Sequence, residues 1–306
     1  MRKIGEGSYG CVYTPPKSCG KGRKRDMIGK IFENKQQYEE EKIIMKIVQK
    51  IDPQNKYTLK MIDNCQVDNT DIKSCKHYKN GVSKYYQIVY KYGGIDLESY
   101  IKEGNYKVKD VLPGIIGLLK LLKKMENKGY VHRDIRESNI LVDDGKLYLI
   151  DFGLMISYDK IYDDEQDYVL QYNYKYYPPE FKIYYNAKMN TRLSSIKDLT
   201  KFTLSDVKQN YIDSDIFLDI DGIKDELENV YYSTNLAPKF VKGMLMYYAN
   251  KIDVFSLGMV CIRLILNTEK SELKCKVFEI LEHSVDPSPV TRWDAAMLIK
   301  SLSDLV

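Results

Sequence analysis

The sequence predicts an α+β fold built from two lobes, a small strand-rich lobe over residues 1–90 and a larger lobe over residues 91–306. A chain of 306 residues is long enough to bury more than one core. The N-terminal third contains short apolar runs of the kind found in strands, such as Met27–Phe32. The segment Tyr38–Ile51 carries its apolar residues at helical spacing, so one helix is expected among the strands.

The composition is that of a soluble globular protein, with 44% hydrophobic and 29% charged residues. No stretch approaches the run of about 18 apolar residues that a membrane helix requires, so no membrane partner is expected. The formal net charge of +4 is too small to indicate a nucleic-acid partner.

The six cysteines are scattered and form no Cys-x-x-Cys pair. This spacing argues against a zinc site or a disulfide framework, and it favours reduced thiols in a cytosol-like compartment. The glycine motif that starts at Gly5 leaves no room for a signal peptide. Together these features predict a cytoplasmic protein.

A glycine-rich motif with the pattern Gly-x-Gly-x-x-Gly-x-Val opens the chain. Its candidate nucleotide-binding residues are Ile4, Gly5, Glu6, Gly7, Ser8, Tyr9, Gly10, Cys11 and Val12. Glycines at these offsets let a β-turn-β backbone approach phosphate oxygens without a Cβ clash. An ordinary glycine turn would show the same pattern, whereas a dinucleotide-binding fold requires a helix directly after it. The run Cys11–Tyr13 continues as a strand and then meets Pro15, so a hairpin is favoured.

A lysine inside the next apolar strand is a second candidate. Lys30 would place its amine under the glycine loop against the α- and β-phosphates, although a strand lysine commonly lies on the solvent face. Glutamates occupy positions 39–41 at the start of the following helix, and Glu41 is the predicted ion-pair partner of Lys30. The alternative is that these acidic residues only favour a helix N-terminus.

One short loop places a carboxylate, a cation and an amide close together in sequence, at Asp134, Arg136 and Asn139. Phosphoryl transfer needs one group to orient a hydroxyl, one to neutralise phosphate charge and one to hold a metal. Asp151 follows as a second candidate metal ligand beside Asn139, since Mg²⁺ prefers hard oxygen ligands. The predicted catalytic residues are therefore Asp134, Lys30 and Arg136.

These motifs occur in the order of the protein kinase signature set, and the chain resembles a eukaryotic-type protein kinase catalytic domain. The segment Tyr177–Glu180 is similar to the Ala-Pro-Glu that closes the activation segment, and Asp253–Gly258 to the opening of the large central helix. Asp286-Pro287 followed by Arg292 resembles the segment whose arginine pairs with that closing glutamate. The glycine motif and the composition also resemble those of kinases of giant nucleocytoplasmic large DNA viruses.

The resemblance implies the bilobal protein kinase fold, with a small β-rich lobe and a larger helical lobe. It implies an adenine pocket with Leu141 as floor and Val12 and Ile28 as roof, and an ion pair between Glu180 and Arg292. It also implies ATP with Mg²⁺ or Mn²⁺, a protein substrate and a monomeric enzyme. For a viral kinase, the location would be the host cytoplasm or the virion.

The acceptor type is less directly predicted. Arg136 stands where serine/threonine kinases usually carry lysine, while tyrosine kinases place their arginine two residues later, so serine or threonine is favoured. Asn173 stands where those kinases commonly have a threonine, which weakens this prediction. A tyrosine, dual or non-protein acceptor, or a pseudokinase scaffold, are the alternatives. A pseudokinase usually has lost the lysine, the base or the metal aspartate, and none is lost here.

Two further features concern regulation and size. Ser157 is the one non-tyrosine hydroxyl residue between Gly153 and Glu180, so activation by phosphothreonine is not expected. The acidic residues 163–165 could supply permanent negative charge in place of a phosphate group. Residues 181–248 are interpreted as an insertion, either a tolerated surface excursion or a docking segment.

Overall fold

A computed structural model describes residues 1–7, 10–19, 26–70, 72–161, 175–181 and 246–306. The predicted insertion at 181–248 lies almost entirely outside these residues. So do Ser8, Tyr9, Asn173 and the acidic segment 163–165.

The N-terminal part of the chain is an antiparallel sheet with one helix packed on it. Its strands are β1 (Arg2–Glu6), β2 (Cys11–Thr14), β3 (Met27–Phe32), β4 (Met61–Asp68) and β5 (Lys84–Lys91), in the order β1-β2-β3-β5-β4. Helix α1 (Lys35–Ile51) begins three residues before the predicted start, because the Asn34 side chain accepts hydrogen bonds from the N–H groups of Gln36 and Gln37.

Alternation along the strands gives this sheet two apolar faces. Ile28, Ile88 and the partly buried Val12 belong to the large core that includes α1 and continues into the C-terminal part of the chain. The opposite face has its own smaller core, made of Cys11, Tyr13, Ile31, Val67, Ile72, Cys75 and Tyr85. Both faces of the sheet are therefore covered.

The cover on the outer face comes from the connection between β4 and β5, residues 69–70 and 72–83, which we call the outer cap. The Tyr13 hydroxyl donates to Ile72 O over 3.3 Å, and Lys3 Nζ donates to Ser74 O over 2.7 Å. His77 Nε2 lies 2.9 Å from Gly7 O, so the outer cap also contacts the glycine motif.

Two disulfides lie on this face, and the prediction of reduced thiols was wrong. Cys11 is bonded to Cys75 in the outer cap, and Cys19 to Cys65 in β4. The paired residues are 64 and 46 positions apart, and their Cα atoms lie 5.8 and 5.6 Å apart. Strand order brings them together, which local cysteine spacing does not reveal.

The C-terminal part is mainly helical. Its helices are α2 (Leu97–Glu103), α3 (Val108–Glu126), α4 (Ile252–Leu266), α5 (Glu272–Glu282) and α6 (Ala295–Ser303). Its short strands are β6 (Ile95–Asp96), β7 (Tyr130–Val131), β8 (Ile140–Asp143), β9 (Lys146–Leu149) and β10 (Ile156–Ser157). Helix α4 is buried along almost its whole length and forms the centre of this part. The arrangement is the predicted bilobal one, whereas the division at residue 90 remains a prediction.

An Asp-Gly hairpin joins β8 to β9. Asp144 and Gly145 both have positive φ, at 49° and 72°, which suits the tight turn of a hairpin. The hairpin follows the loop that carries Asp134 and precedes Asp151, so it sets the separation of the candidate metal ligands. Among the described residues, no helix combines the length and apolar character needed to cross a bilayer.

Alkylation of thiols should distinguish the two disulfides from six reduced cysteines. In the denatured but unreduced protein, we expect only Cys261 and Cys275 to react. Mass spectrometry counts the added groups, and six additions would contradict the disulfides.

Loss of the cap disulfide should destabilise the protein. We expect Cys75→Ser to lower the free energy of unfolding by about 2–4 kcal/mol, because the unfolded chain loses a covalent constraint. Urea unfolding measures the change, and the matched control is Cys275→Ser, which removes an exposed free thiol. Equal stability of the two variants would contradict the expectation.

Candidate active site

The loop between β7 and β8 is held by a buried carboxylate on α4. Asp253 accepts hydrogen bonds from the backbone N–H groups of His132 and Arg133, at 2.6 and 3.0 Å. Burial raises the pKa of Asp253, while these donors and the nearby Arg133 charge favour its ionised form. Arg133 has a φ of 65°, a conformation that a non-glycine residue adopts rarely and that these hydrogen bonds hold in place.

His132 orients the backbone of the predicted base. Its Nδ1 accepts from Asp134 N over 3.2 Å, so the ring proton lies on Nε2, which is 3.1 Å from Ile150 O. Burial lowers the pKa of His132, which keeps the ring neutral and consistent with this tautomer. The ring also packs edge-on against Phe152, with 4.7 Å between centroids. His132 therefore has a structural role in this loop.

Asp134 and Asn139 are in direct contact. Asn139 Nδ2 donates to the backbone oxygen of Asp134 over 2.8 Å and to its Oδ2 over 2.7 Å. Two acceptors on Nδ2 fix the orientation of the amide, so Asn139 Oδ1 is the atom left to accept a cation. Arg136 Nε lies 3.6 Å from Asp134 Oδ1, and the Arg136 side chain is 43% exposed. The loop thus brings together the carboxylate, the amide and the cation predicted for it.

The small lobe contributes an ammonium group to the same region. Lys30 Nζ lies 2.5 Å from Glu41 Oε2 and 3.9 Å from Asp151 Oδ1. The expected partner Glu41 also accepts a 2.7 Å hydrogen bond from the Tyr90 hydroxyl. Burial raises the pKa of Tyr90, so this hydroxyl stays a neutral donor. Tyr90 was not anticipated, because no local signal in β5 marks it as a partner of α1.

Asp151 has the second unusual backbone conformation of the site, with a φ of 59°. Its side chain is 34% exposed, whereas Lys30 beside it is 15% exposed. Carboxylate and amide oxygens on Asp151 and Asn139 form the kind of hard donor set that suits Mg²⁺. The residues present therefore fit the metal that the resemblance implies.

The residues predicted to enclose the adenine lie in one apolar region. Ile28 belongs to the large core, and the partly buried Val12 and Leu141 pack against it. A Cβ at Gly93, in the connection after β5, would lie 2.9 Å from the Leu141 side chain and 2.6 Å from Leu59. Gly93 therefore lets this connection pass directly against the side chains of Leu59 and Leu141.

The glycine motif has a more mixed role than predicted. A Cβ on Gly10 would lie 2.3 Å from Ile31 O. Close packing against β3 is therefore by itself enough to require glycine at this position. Cys11 is fully buried on the outer face in its disulfide, so its side chain does not line the pocket. Ile4 is 40% exposed, and Glu6 pairs with Lys3. Gly7 N donates to Gly10 O over 2.9 Å, which closes the turn between β1 and β2.

The predicted pair Glu180 and Arg292 is formed and buried. Arg292 Nη1 and Nη2 lie 2.6 and 3.0 Å from the two carboxylate oxygens of Glu180, and each side chain is at most 1% exposed. The guanidinium also lies 4.9 Å from the ring centroid of Phe255 on α4. This pair connects residues 175–181 to the helical part of the chain.

Comparison with known proteins points to one family. A model described as the protein kinase domain matches residues 1–192. The chain is 35% identical to B1 kinase of vaccinia virus (strain Copenhagen) over 83 residues, which cover 26% of this chain and 28% of that protein. It is 37% identical to serine/threonine-protein kinase 16 of Rattus norvegicus over 62 residues, 20% of each chain. These matches span less than a third of each relative's length.

Removing one partner of the buried ion pair should destabilise the fold strongly. We expect Arg292→Met to lower the free energy of unfolding by about 3–5 kcal/mol, because Glu180 would be left as an uncompensated buried charge. Urea unfolding measures this loss. The matched control is Glu272→Gln, which breaks the exposed pair of Glu272 with Lys276 on α5 and should leave stability unchanged. A stable Arg292→Met variant would contradict the expectation.

Proposed function

The chain belongs to the protein kinase family, and we propose that it transfers the γ-phosphoryl group of ATP to serine or threonine hydroxyls of a protein substrate. The observation that carries the proposal is the meeting of two groups of residues at one place. Asp134 and Asn139 come from the loop after β7, and Lys30 comes from the sheet to lie 3.9 Å from Asp151. The two groups are joined where Ile150 N, next to Asp151, donates to Asn139 O over 2.9 Å.

Asp134 is proposed as the base. Its Oδ2 accepts a hydrogen bond from the Asn139 amide, and the same carboxylate would accept a hydrogen bond from the substrate hydroxyl. The carboxylate then takes the hydroxyl proton as the oxygen attacks the γ-phosphorus in line with the leaving β-phosphate oxygen. Arg136 adds positive charge beside Oδ1, where the transferred phosphoryl group carries its negative charge.

Lys30 is proposed to bind the α- and β-phosphates, with Glu41 holding its ammonium in place. Asn139 and Asp151 would hold the metal ion. When bound, Mg²⁺ supplies positive charge that offsets the negative charge of the phosphates. Val12, Ile28 and Leu141 would enclose the adenine with apolar surface.

The serine/threonine assignment is supported by Arg136, two residues after the proposed base. It is also supported by the printed name of the rat relative, a serine/threonine-protein kinase. A monomeric enzyme in the cytoplasm, or in the virion for a viral protein, remains the expectation. The cysteine argument no longer supports the cytoplasm, since four of the six cysteines form disulfides.

Transfer of labelled phosphate from ATP tests this function. We expect the wild type, with Mg²⁺ or Mn²⁺, to label a generic basic protein and members of a peptide library. Asp134→Asn should reduce the rate by about 10²-fold or more, because the base is lost. The matched control is Asp143→Asn, an exposed carboxylate at the end of β8, which should leave the rate unchanged.

Two outcomes would count against the proposal. No transfer by the wild type with either metal would exclude the enzyme activity. Phosphotyrosine as the sole labelled product, seen in a hydrolysate of the substrate, would exclude the serine/threonine assignment alone.

A further inference from the structure

The loop of the proposed base contains a buried acidic residue that the proposed mechanism does not use. Glu137 lies three residues after Asp134, and its side chain is 5% exposed. It accepts a hydrogen bond from the Tyr176 hydroxyl, and Arg263 Nη1 lies 2.9 Å from its Oε1. A buried carboxylate is costly unless it is paired and hydrogen-bonded, and here both conditions are met.

The three side chains come from three separate parts of the chain. Glu137 begins the 3-10 turn that ends at Asn139, and Arg263 lies on α4. Tyr176 belongs to residues 175–181, and its backbone oxygen accepts a 2.7 Å hydrogen bond from Ser256 Oγ, also on α4. Burial raises the pKa of Tyr176, so its hydroxyl remains a neutral donor.

The segment 175–181 lies next to the loop of the proposed base, because the Tyr176 hydroxyl donates to Glu137 in that loop. Tyr177, which follows Tyr176, is buried, and it lies near enough to Asp134 for that negative charge to add to the effect of burial in raising the Tyr177 pKa. At its other end the segment is held by the Glu180–Arg292 pair. The segment therefore has two attachment points near Asp134, one of which is Glu137.

We propose that Glu137 is a positioning residue that holds the segment 175–181 in register with Asp134. Tyr176 carries the link, and Arg263 balances the Glu137 charge. The inference rests on the proposed protein kinase function and deepens it. If the segment guides a protein acceptor to Asp134, the link should matter more for that acceptor than for water, which needs only the base and the bound nucleotide.

The test compares two reactions of the same enzyme. For each variant, the rate of protein phosphorylation is divided by the rate of ATP hydrolysis measured without an acceptor. Tyr176→Phe removes one hydroxyl and keeps the ring, and we expect this ratio to fall by about tenfold or more through misplacement of the acceptor. Glu137→Gln keeps an oxygen for Tyr176 but loses the charge that binds Arg263, so a smaller fall is expected.

The matched control is Tyr106→Phe. The Tyr106 hydroxyl is buried and donates to Leu264 O on α4 over 3.2 Å, so this variant loses a comparable hydrogen bond on the same helix without touching the loop. Its ratio should equal that of the wild type.

The outcomes separate the two proposals. An unchanged ratio in Tyr176→Phe, whether both rates stay the same or fall equally, would overturn the positioning role while leaving the kinase function intact. If Glu137→Gln fails to fold, Tyr176→Phe alone decides the result. A wild type that phosphorylates no protein would overturn both proposals.

Discussion

The arrangement of the site depends on one buried carboxylate. Asp253 accepts the N–H groups of His132 and Arg133, and without it two buried backbone donors would be left unpaired. Those hydrogen bonds hold Arg133 in its left-handed conformation and fix where the next residue, Asp134, emerges from the loop. Because Asp253 opens the central helix α4, the position of the proposed base is set by the most buried helix among the described residues.

Neutral hydrogen-bonding groups orient the other residues of the site. His132 stays uncharged because it is buried, and it accepts from Asp134 N on one side while facing Ile150 O on the other. Tyr90 plays a comparable part for Glu41, which in turn holds Lys30. Burial keeps both groups in the protonation states that these contacts need. Charged side chains are thereby oriented by neighbours that carry no charge themselves.

Sequence patterns predicted the parts of the site whose signals are contiguous. Lys30, Asp134 and Asn139 were identified from short motifs, and the bilobal fold was expected from the family resemblance that the order of these motifs carries. Contacts between residues that are far apart in the sequence could not be predicted in this way. Arg263 and Glu137 are 126 residues apart, and nothing local marks α4 as their meeting place. Gly10 shows a different difficulty: its motif indicated phosphate binding, whereas its close packing against β3 is by itself a sufficient reason for glycine at this position.

The two disulfides on the outer face of the sheet mean that the same amino-acid sequence can give two covalently different molecules. Cys11 lies directly beside Gly10, so one of these bonds links the glycine motif to a segment more than sixty residues away. A chain that folds where thiols stay reduced would instead keep four sulfhydryl groups, of which Cys11 and Cys75 would lie inside the small apolar core and Cys65 against it. The covalent state of this sheet therefore depends on the redox conditions under which the protein folded, and two preparations with identical sequences need not be the same molecule.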